Sequence, residues 1–483
     1  MNKKAFFIFK KRRPWLLGIF VTIVLYSCVP TREVKEANPP LPEDYKASAE
    51  EDSLNSAIIQ WKDFFTDPYL NSLISKALEN NQELNMTLQE LQIAKNEVRV
   101  RKGEYLPSIG IKAGAGVEKS ARYTRAGAVE ENLDVEGEEF PDPLPDYMIG
   151  LQAKWEVDIW NKLHNAKKAA VLRYLSTVEG RNFMVTNLVA EIANSYFELL
   201  ALDNQLEIVQ RNIEIQSNAL RIVKLQKEAA RVTELAVSKF QAEVLHTRSL
   251  QYEIQQKITE TENRLNFLVG RYPQHIERDA LAFVDLVPET INAGLPSQLL
   301  KNRPDIKQAE LDLAASKLDV KVARARFYPS LGISANLGYQ AFNPEYLLDT
   351  PESLLYSIAG DIAAPLINRN AIKAEYSSAN AEQIKAVYNY EQTILNAYVE
   401  VSNQLSKIVN LEKSYDLKKD EVEALNRSIT ISNDLFRSAR ADYMEVLLTQ
   451  RDALESKFDL VETKMQQMNA MVNMYQALGG GWN

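Results

Sequence analysis

Two periods of hydrophobicity divide the chain. Four short segments alternate residue by residue. The first places Ile109, Ile111, Ala113, Ala115 and Val117 on one side and Gly110, Lys112, Gly114, Gly116 and Glu118 on the other. The second sets Tyr147, Ile149, Leu151, Ala153, Trp155, Val157 and Ile159 against Gly150, Gln152, Lys154, Glu156 and Asp158. The third sets Leu331, Ile333, Ala335, Leu337 and Tyr339 against Gly332, Ser334, Asn336, Gly338 and Gln340. The fourth sets Leu354, Tyr356, Ile358, Ile362, Ala364 and Leu366 against Ser357, Asp361 and Ala363. Period two predicts β-strands with one apolar and one polar face, at about 106–118, 147–159, 328–340 and 354–366. A half-buried antiparallel sheet and the wall of a membrane β-barrel both satisfy this alternation. Segments of about ten residues suit the barrel.

Most of the remaining chain has helical spacing. Val185, Val189, Ile192, Tyr196, Leu199, Leu202, Leu206, Val209, Ile213, Leu220 and Val223 recur in steps of three and four, the seam of a coiled coil. A helix over 174–227 would be about 80 Å long, far more than a globular core requires. A return helix follows through Ile254, Ile258, Leu265 and Leu268. The same pair recurs after the fourth strand. Its long helix runs through Ile394, Tyr398, Val401, Leu405, Ile408 and Leu411, and its return carries Val446, Leu447, Leu454, Phe458, Val461 and Met465.

The two halves echo each other. Leu106-Pro107-Ser108-Ile109-Gly110-Ile111 matches Tyr328-Pro329-Ser330-Leu331-Gly332-Ile333, and Ser195-Tyr196-Phe197-Glu198 matches Ala397-Tyr398-Val399-Glu400. The chain therefore divides into a first repeat, 61–290, with a helical hairpin at about 165–270, and a second, 291–483, with a hairpin at about 371–478. Four strands are too few to close a membrane barrel, whose smallest members have about eight. An open sheet edge cannot lie in hydrocarbon. Strands in a membrane would have to be pooled between chains, and three chains would supply twelve.

Composition adds the destination. Lys3, Lys4, Lys10, Lys11, Arg12 and Arg13 precede an apolar run from Trp15 to Tyr26, the order of a secretory signal. The run is short for a membrane span, which takes about 20 apolar residues; a short signal anchor is the alternative. Leu25-Tyr26-Ser27-Cys28 resembles a bacterial lipobox, in which the cysteine is acylated and becomes the mature N-terminus. Val29 follows, so an Asp-type inner-membrane retention signal is absent. Removal of 1–27 takes the net charge from −9 to about −15, which argues against nucleic acid as a partner. The segment 28–60 begins with a polar stretch carrying Pro39, Pro40 and Pro42, read as a tether between lipid and folded body. Cys28 is the only cysteine, which excludes a disulfide within the chain. His164, His246 and His275 are scattered, and no phosphate loop, nucleophile elbow or metal-ligand cluster is present. The chain reads as no enzyme, with no cofactor beyond covalent lipid.

Four motifs in order resemble the TolC-like outer-membrane efflux proteins, in particular their lipoprotein (NodT/OprM-like) branch. They are Trp155-Glu156-Val157-Asp158-Ile159-Trp160, Arg303-Pro304-Asp305-Ile306 with Ala309-Glu310-Leu311, Arg324-Ala325-Arg326-Phe327-Tyr328-Pro329-Ser330, and Ala477-Leu478-Gly479-Gly480-Gly481-Trp482. The resemblance covers the chain from about Trp61 to its end. It implies a mainly α fold with membrane β: a homotrimer with a twelve-stranded barrel and a long antiparallel helical barrel. It also implies a periplasmic adaptor, an inner-membrane RND-type pump, and passive exit of small molecules. Two rivals remain: the exit duct of a type I protein secretion system, and a coiled-coil scaffold lipoprotein, which would have no need of amphipathic strands.

The resemblance also marks residues. The second hairpin tip reads Arg440-Ala441-Asp442-Tyr443-Met444-Glu445, where family members commonly carry acidic residues. Glu445 and Met444 are candidates for a pore constriction, with Arg440 and Asp442 latching neighbouring hairpins around Tyr443. A second acidic position, one turn on, is Leu448 here. A solvated run of tip charges is the plainer alternative. Ala230 and Ala439 replace the glycines often found at the tips, which predicts that these tips turn differently, because a left-handed alanine costs about 1–2 kcal/mol. Asn161 and Asn370 stand near turns that often carry Gly, and Asn tolerates the left-handed conformation. Trp155 and Trp160 are membrane-interface candidates, with ordinary packing as the alternative. The acidic loop 119–146 links the first two strands and is expected outside the cell.

Overall fold

The computed structural model describes residues 34–38, 41–45, 55–135, 137–279, 283, 286, 291–365, 369–438 and 440–482. The signal segment, Cys28, Pro39, Pro40, Leu366 and Ala439 lie outside them. The principal elements are α1 (Pro68–Asn80), α2 (Gln82–Tyr105), β1 (Ser108–Glu118), β2 (Leu144–Val157), α3 (Lys162–Glu228), α4 (Glu234–Val269), α5 (Pro304–Ala325), β3 (Ser330–Ala341), β4 (Leu354–Ala363), α6 (Asn370–Arg437) and α7 (Tyr443–Ala477). They form two compact units, each discontinuous in sequence. One holds the strands with residues 93–174 and 311–388; the other holds 37–92, 175–310 and 389–483. Each sequence repeat contributes two strands to the first unit and a helical hairpin to the second.

In the first unit the strands form one antiparallel sheet, in the order β1-β2-β3-β4. Its register sorts the two faces. Ile111 lies opposite Leu151, Leu151 opposite Leu337, and Leu337 opposite Tyr356, so apolar residues line up across all four strands. Lys112, Gly150, Gly338 and Leu355 form the neighbouring row on the other face. The apolar face is bare in the single chain: Ile111 is 78%, Tyr356 77% and Ile358 81% exposed. Gly150 and Gly338 meet where the backbones of β2 and β3 come closest, since a Cβ on either would lie within 2.7 Å of the other's Cα.

Strand boundaries depart a little from the pattern. β2 begins at Leu144 and ends at Val157, because Ile159 belongs to the turn into α3. β4 ends at Ala363, so Ala364 lies beyond it. Asn161 adopts φ 55, as asparagine can, whereas Asn370 simply opens α6. Asp158 builds the turn: its carboxylate accepts from the backbone N–H of Leu163 (3.1 Å) and His164 (2.8 Å) and faces His164 Nδ1 at 2.8 Å. Burial would raise its pKa, but these hydrogen bonds hold it below the ordinary aspartate value. The acidic loop holds a short helix, Arg125–Glu130, and a small ladder, Asp134–Val135 with Glu138–Glu139, neither visible as a period.

The second unit is built on helical seams. Leu202, Val209, Gln216 and Val223 of α3 are buried at sevenfold spacing, as are Phe240, Thr247, Ile254, Thr261 and Leu268 of α4. Val223 packs with Phe240, and Val209 with Ile254. The antiparallel register therefore puts Gln216 level with Thr247, a polar layer between two apolar ones. The Gln216 amide has no hydrogen-bond partner among the described residues, so this layer costs stability. At 67 residues, α3 is about 100 Å long. The main core joins α1, α3, α4 and α7, with Tyr475 stacked on Phe64 at 4.0 Å and its hydroxyl donating to Ile59 O at 2.5 Å. Buried Arg303 bridges Asp305 (2.7 Å), Glu400 (2.6 Å) and the Ala477 carbonyl (3.0 Å). Burial would lower its pKa, but the two carboxylates raise it.

The described parts of the N-terminal stretch, 34–38 and 41–45, are docked rather than loose. In the first unit, buried Gln383 grips the Lys35 backbone at both ends, accepting from its N–H (3.1 Å) and donating to its C=O (2.7 Å). Lys35 Nζ lies 3.7 Å from the Tyr388 ring centre, and Glu36 pairs with Lys317 at 2.5 Å. In the second unit, Tyr45 is buried and stacked on Tyr398 at 5.3 Å.

The α3–α4 tip turns through a left-handed alanine, Ala230 (φ 54), contrary to the expectation drawn from its lack of glycine. Ala230 N–H donates to Lys227 O and Arg231 N–H to Gln226 O, both at 2.8 Å, and Lys227 pairs with Glu234 across the turn. These bonds satisfy helix-end carbonyls and offset the strain. Ala230→Gly should therefore stabilise the tip by about 1 kcal/mol. Hydrogen exchange at amides 226–231 checks this, and faster exchange in the variant would contradict it.

Candidate functional site

The two hairpin tips share one construction. Arg440 N–H donates to Leu435 O at 2.8 Å, the same five-residue return as Arg231 to Gln226. The following helix starts at the equivalent place. Asp442 is the N-cap of α7, its Oδ1 accepting from Tyr443 N–H at 2.6 Å, while Glu445 N–H donates to the Asp442 carbonyl at 3.1 Å. A carboxylate is favoured there by the unsatisfied N–H groups of a helix start.

An apolar cluster holds the tips together. Val223, Ala236, Val237 and Phe240 of the first hairpin pack with Leu447 of the second, with Phe436 and Tyr443 partly buried against them. Tyr443 is therefore a packing residue within the chain. Met444 (39% exposed), Arg440 and Glu445 face outward. Among the described residues, neither the Arg440 guanidinium nor the Glu445 carboxylate has an ionic partner. Leu448, one turn on, is also exposed (42%), so the outward face of early α7 mixes one carboxylate with two apolar side chains. Leu447 and Phe240 anchor this arrangement. The helical period of the apolar positions marks both, but only the fold shows that they meet.

Trp155 and Trp160 lie at the helix-bearing edge of the sheet. Trp155 Nε1 donates to Tyr105 O at 3.1 Å, just before β1. Trp160 Nε1 donates to Pro329 O at 2.6 Å, just before β3, and its ring stacks on Tyr328 at 4.7 Å. Each indole ties the end of β2 to the start of a flanking strand while staying more than a third exposed.

Period and motif gave no sign of Arg278. It is held by Asp203 (2.5 and 2.9 Å) and Glu262 (2.5 Å) and pins the segment after α4 to α3 and α4. Asp203 lies 75 residues away and Glu262 sixteen, and no periodicity points to either.

Comparison with known proteins adds an independent line. The family model for outer membrane efflux proteins matches residues 73–271 and 295–480. The pyoverdine export outer membrane protein OpmQ of Pseudomonas aeruginosa is 29% identical over 468 residues, 96% of either chain. The probable outer membrane lipoprotein SilC of Salmonella typhimurium is 25% identical, over 97% of this chain and 98% of its own. Among solved structures, CusC superposes with a TM-score of 0.81 at 24% identity, over 94% of this chain and 99% of its own. The open state of the Neisseria gonorrhoeae MtrE channel gives 0.81 at 20% identity, over the same shares.

The exposed, unpaired carboxylate at the tip yields a direct expectation. If Glu445 lines a constriction, Glu445→Ala raises the conductance of the closed channel in planar bilayers and lowers its preference for cations. Unchanged conductance and selectivity would remove Glu445 from the pore.

Proposed function

The chain belongs to the outer membrane efflux protein family, and on that premise we propose that three copies pool their strands into one closed twelve-stranded barrel. The protein is an efflux component of the bacterial outer membrane. The observation that carries the trimer is the sheet itself. It presents an unbroken apolar face and ends in two unpaired edges, β1 and β4. Neighbouring strands are antiparallel throughout, so β1 and β4 run in opposite directions. The β4 edge of one copy can therefore pair antiparallel with β1 of the next, and the closed ring leaves no open edge in lipid.

In this reading Cys28 carries the acyl anchor, and Trp155 and Trp160 sit at the membrane interface. Met444 and Glu445 narrow the pore, and Arg440 and Asp442 latch adjacent hairpins. The duct has no energy source of its own and takes small molecules from a periplasmic adaptor and an inner-membrane RND-type pump. Relatives at similar identity are named for pyoverdine, solvent and cation efflux. Cargo thus varies while the duct stays alike, as expected where pump and adaptor select it. These names also favour small-molecule efflux over protein secretion.

Native mass of the protein extracted in mild detergent, read beside its denatured mass, tests the assembly and the anchor. The expected result is three chains, each lacking 1–27 and carrying acyl mass on Cys28. A monomer that survives gentle extraction would overturn pooled closure, and an unmodified Cys28 would overturn the anchor.

A further inference from the structure

The protein as a whole is acidic, with a net charge of −9, yet its sheet unit is polarised along the strands. The register places the starts of β1 and β3 and the ends of β2 and β4 at one edge, where all four helix connections leave. The helical segments adjoining that edge are 93–105, 162–174, 311–326 and 369–388. Together they hold fifteen lysines and arginines against six aspartates and glutamates, a net +9. The loops at the opposite edge, 119–143 and 342–353, hold ten carboxylates against three cations.

Helix stability alone does not explain this collar. The first turns of α3 and α6 contain no acidic residue of their own, and only Asp158, in the turn before α3, brings the carboxylate that a helix N-terminus favours. Lys162, Lys167 and Lys168 crowd the first two turns of α3 instead. Internal pairing does not account for it either. Lys95, Arg99, Lys102, Lys168, Lys321 and Arg324 are all exposed, and none has an ion-pair partner among the described residues. The docked N-terminal stretch brings Lys35 to the same unit.

We propose that this collar is a binding surface for anionic phospholipid headgroups of the periplasmic leaflet, phosphatidylglycerol being the simplest. The inference rests on the sheet lying in the outer membrane with its helices on the periplasmic side. The collar adjoins the bare apolar face, so one continuous surface meets acyl chains with apolar residues and phosphates with cations. Basic clusters beside a membrane segment are attracted to anionic lipid in this way.

The test uses the full-length acylated protein in micelles containing equal phosphatidylglycerol and phosphatidylcholine, with retained lipids counted by native mass spectrometry. The native protein should keep phosphatidylglycerol over phosphatidylcholine by about tenfold, and rising salt should erode the preference. Replacing the six unpaired cations by glutamine should bring the two lipids to parity, whereas exchanging Lys for Arg and Arg for Lys at the same positions should preserve the preference. No preference in the native protein, a salt-insensitive one, or one undiminished in the glutamine variant would overturn the proposal. The same spectrum reports the number of chains. A monomer that still prefers phosphatidylglycerol would overturn barrel closure and leave the collar standing; a trimer without preference would do the reverse.

Discussion

A backbone amide in hydrocarbon has no water to bond, and leaving it unpaired costs several kcal/mol. The rest of this architecture follows from that constraint. Four amphipathic strands satisfy one another internally but expose a row of donors and acceptors along β1 and another along β4. Their apolar face offers no relief, because it stays exposed among the described residues. An even number of strands leaves the two edges antiparallel and hence mutually compatible. Strand count, alternation and direction are therefore each what the proposed closure through copies of the same chain requires.

The helical unit solves a different problem. Its helices are too long to be stabilised by one globular core, so stability is distributed along seams at sevenfold spacing. Such seams are prone to slide. The Arg303 bridge between Glu400 and the Ala477 carbonyl and the Arg278 grip on Asp203 and Glu262 each work at only one register. Polar groups that are costly when unmatched thus turn a slippery interface into a defined one.

Much of this was legible in the residues because it is periodic. Alternation located the strands within a few positions, since a one-residue slip would turn every apolar side chain to the wrong face. Steps of three and four located both long hairpins. What escaped was specific rather than periodic. Ala230 takes a left-handed turn because neighbouring hydrogen bonds compensate it, and composition shows only an unfavourable residue. Asp158 caps α3 from within a stretch that reads as strand. The proline-bearing N-terminal stretch reads as a free tether, and nothing local betrays that Gln383, nearly 350 residues away, holds the Lys35 backbone. At the tip, the sequence marks the stretch 440–445 as a whole, and only the fold separates Tyr443, which packs inward, from Met444 and Glu445, which do not.

That grip on Lys35 converts the N-terminus into a short leash. Six peptide units separate Cys28 from Val34, the residue that packs beside Phe327 and Tyr376. Fully extended, they reach about 20 Å, less than the thickness of a bilayer's hydrocarbon core. With a lipid on Cys28, an unassembled chain would already be held with its sheet unit close to the membrane surface. Insertion and strand pairing would then be a search in two dimensions, at high local concentration, among partners held at the same height.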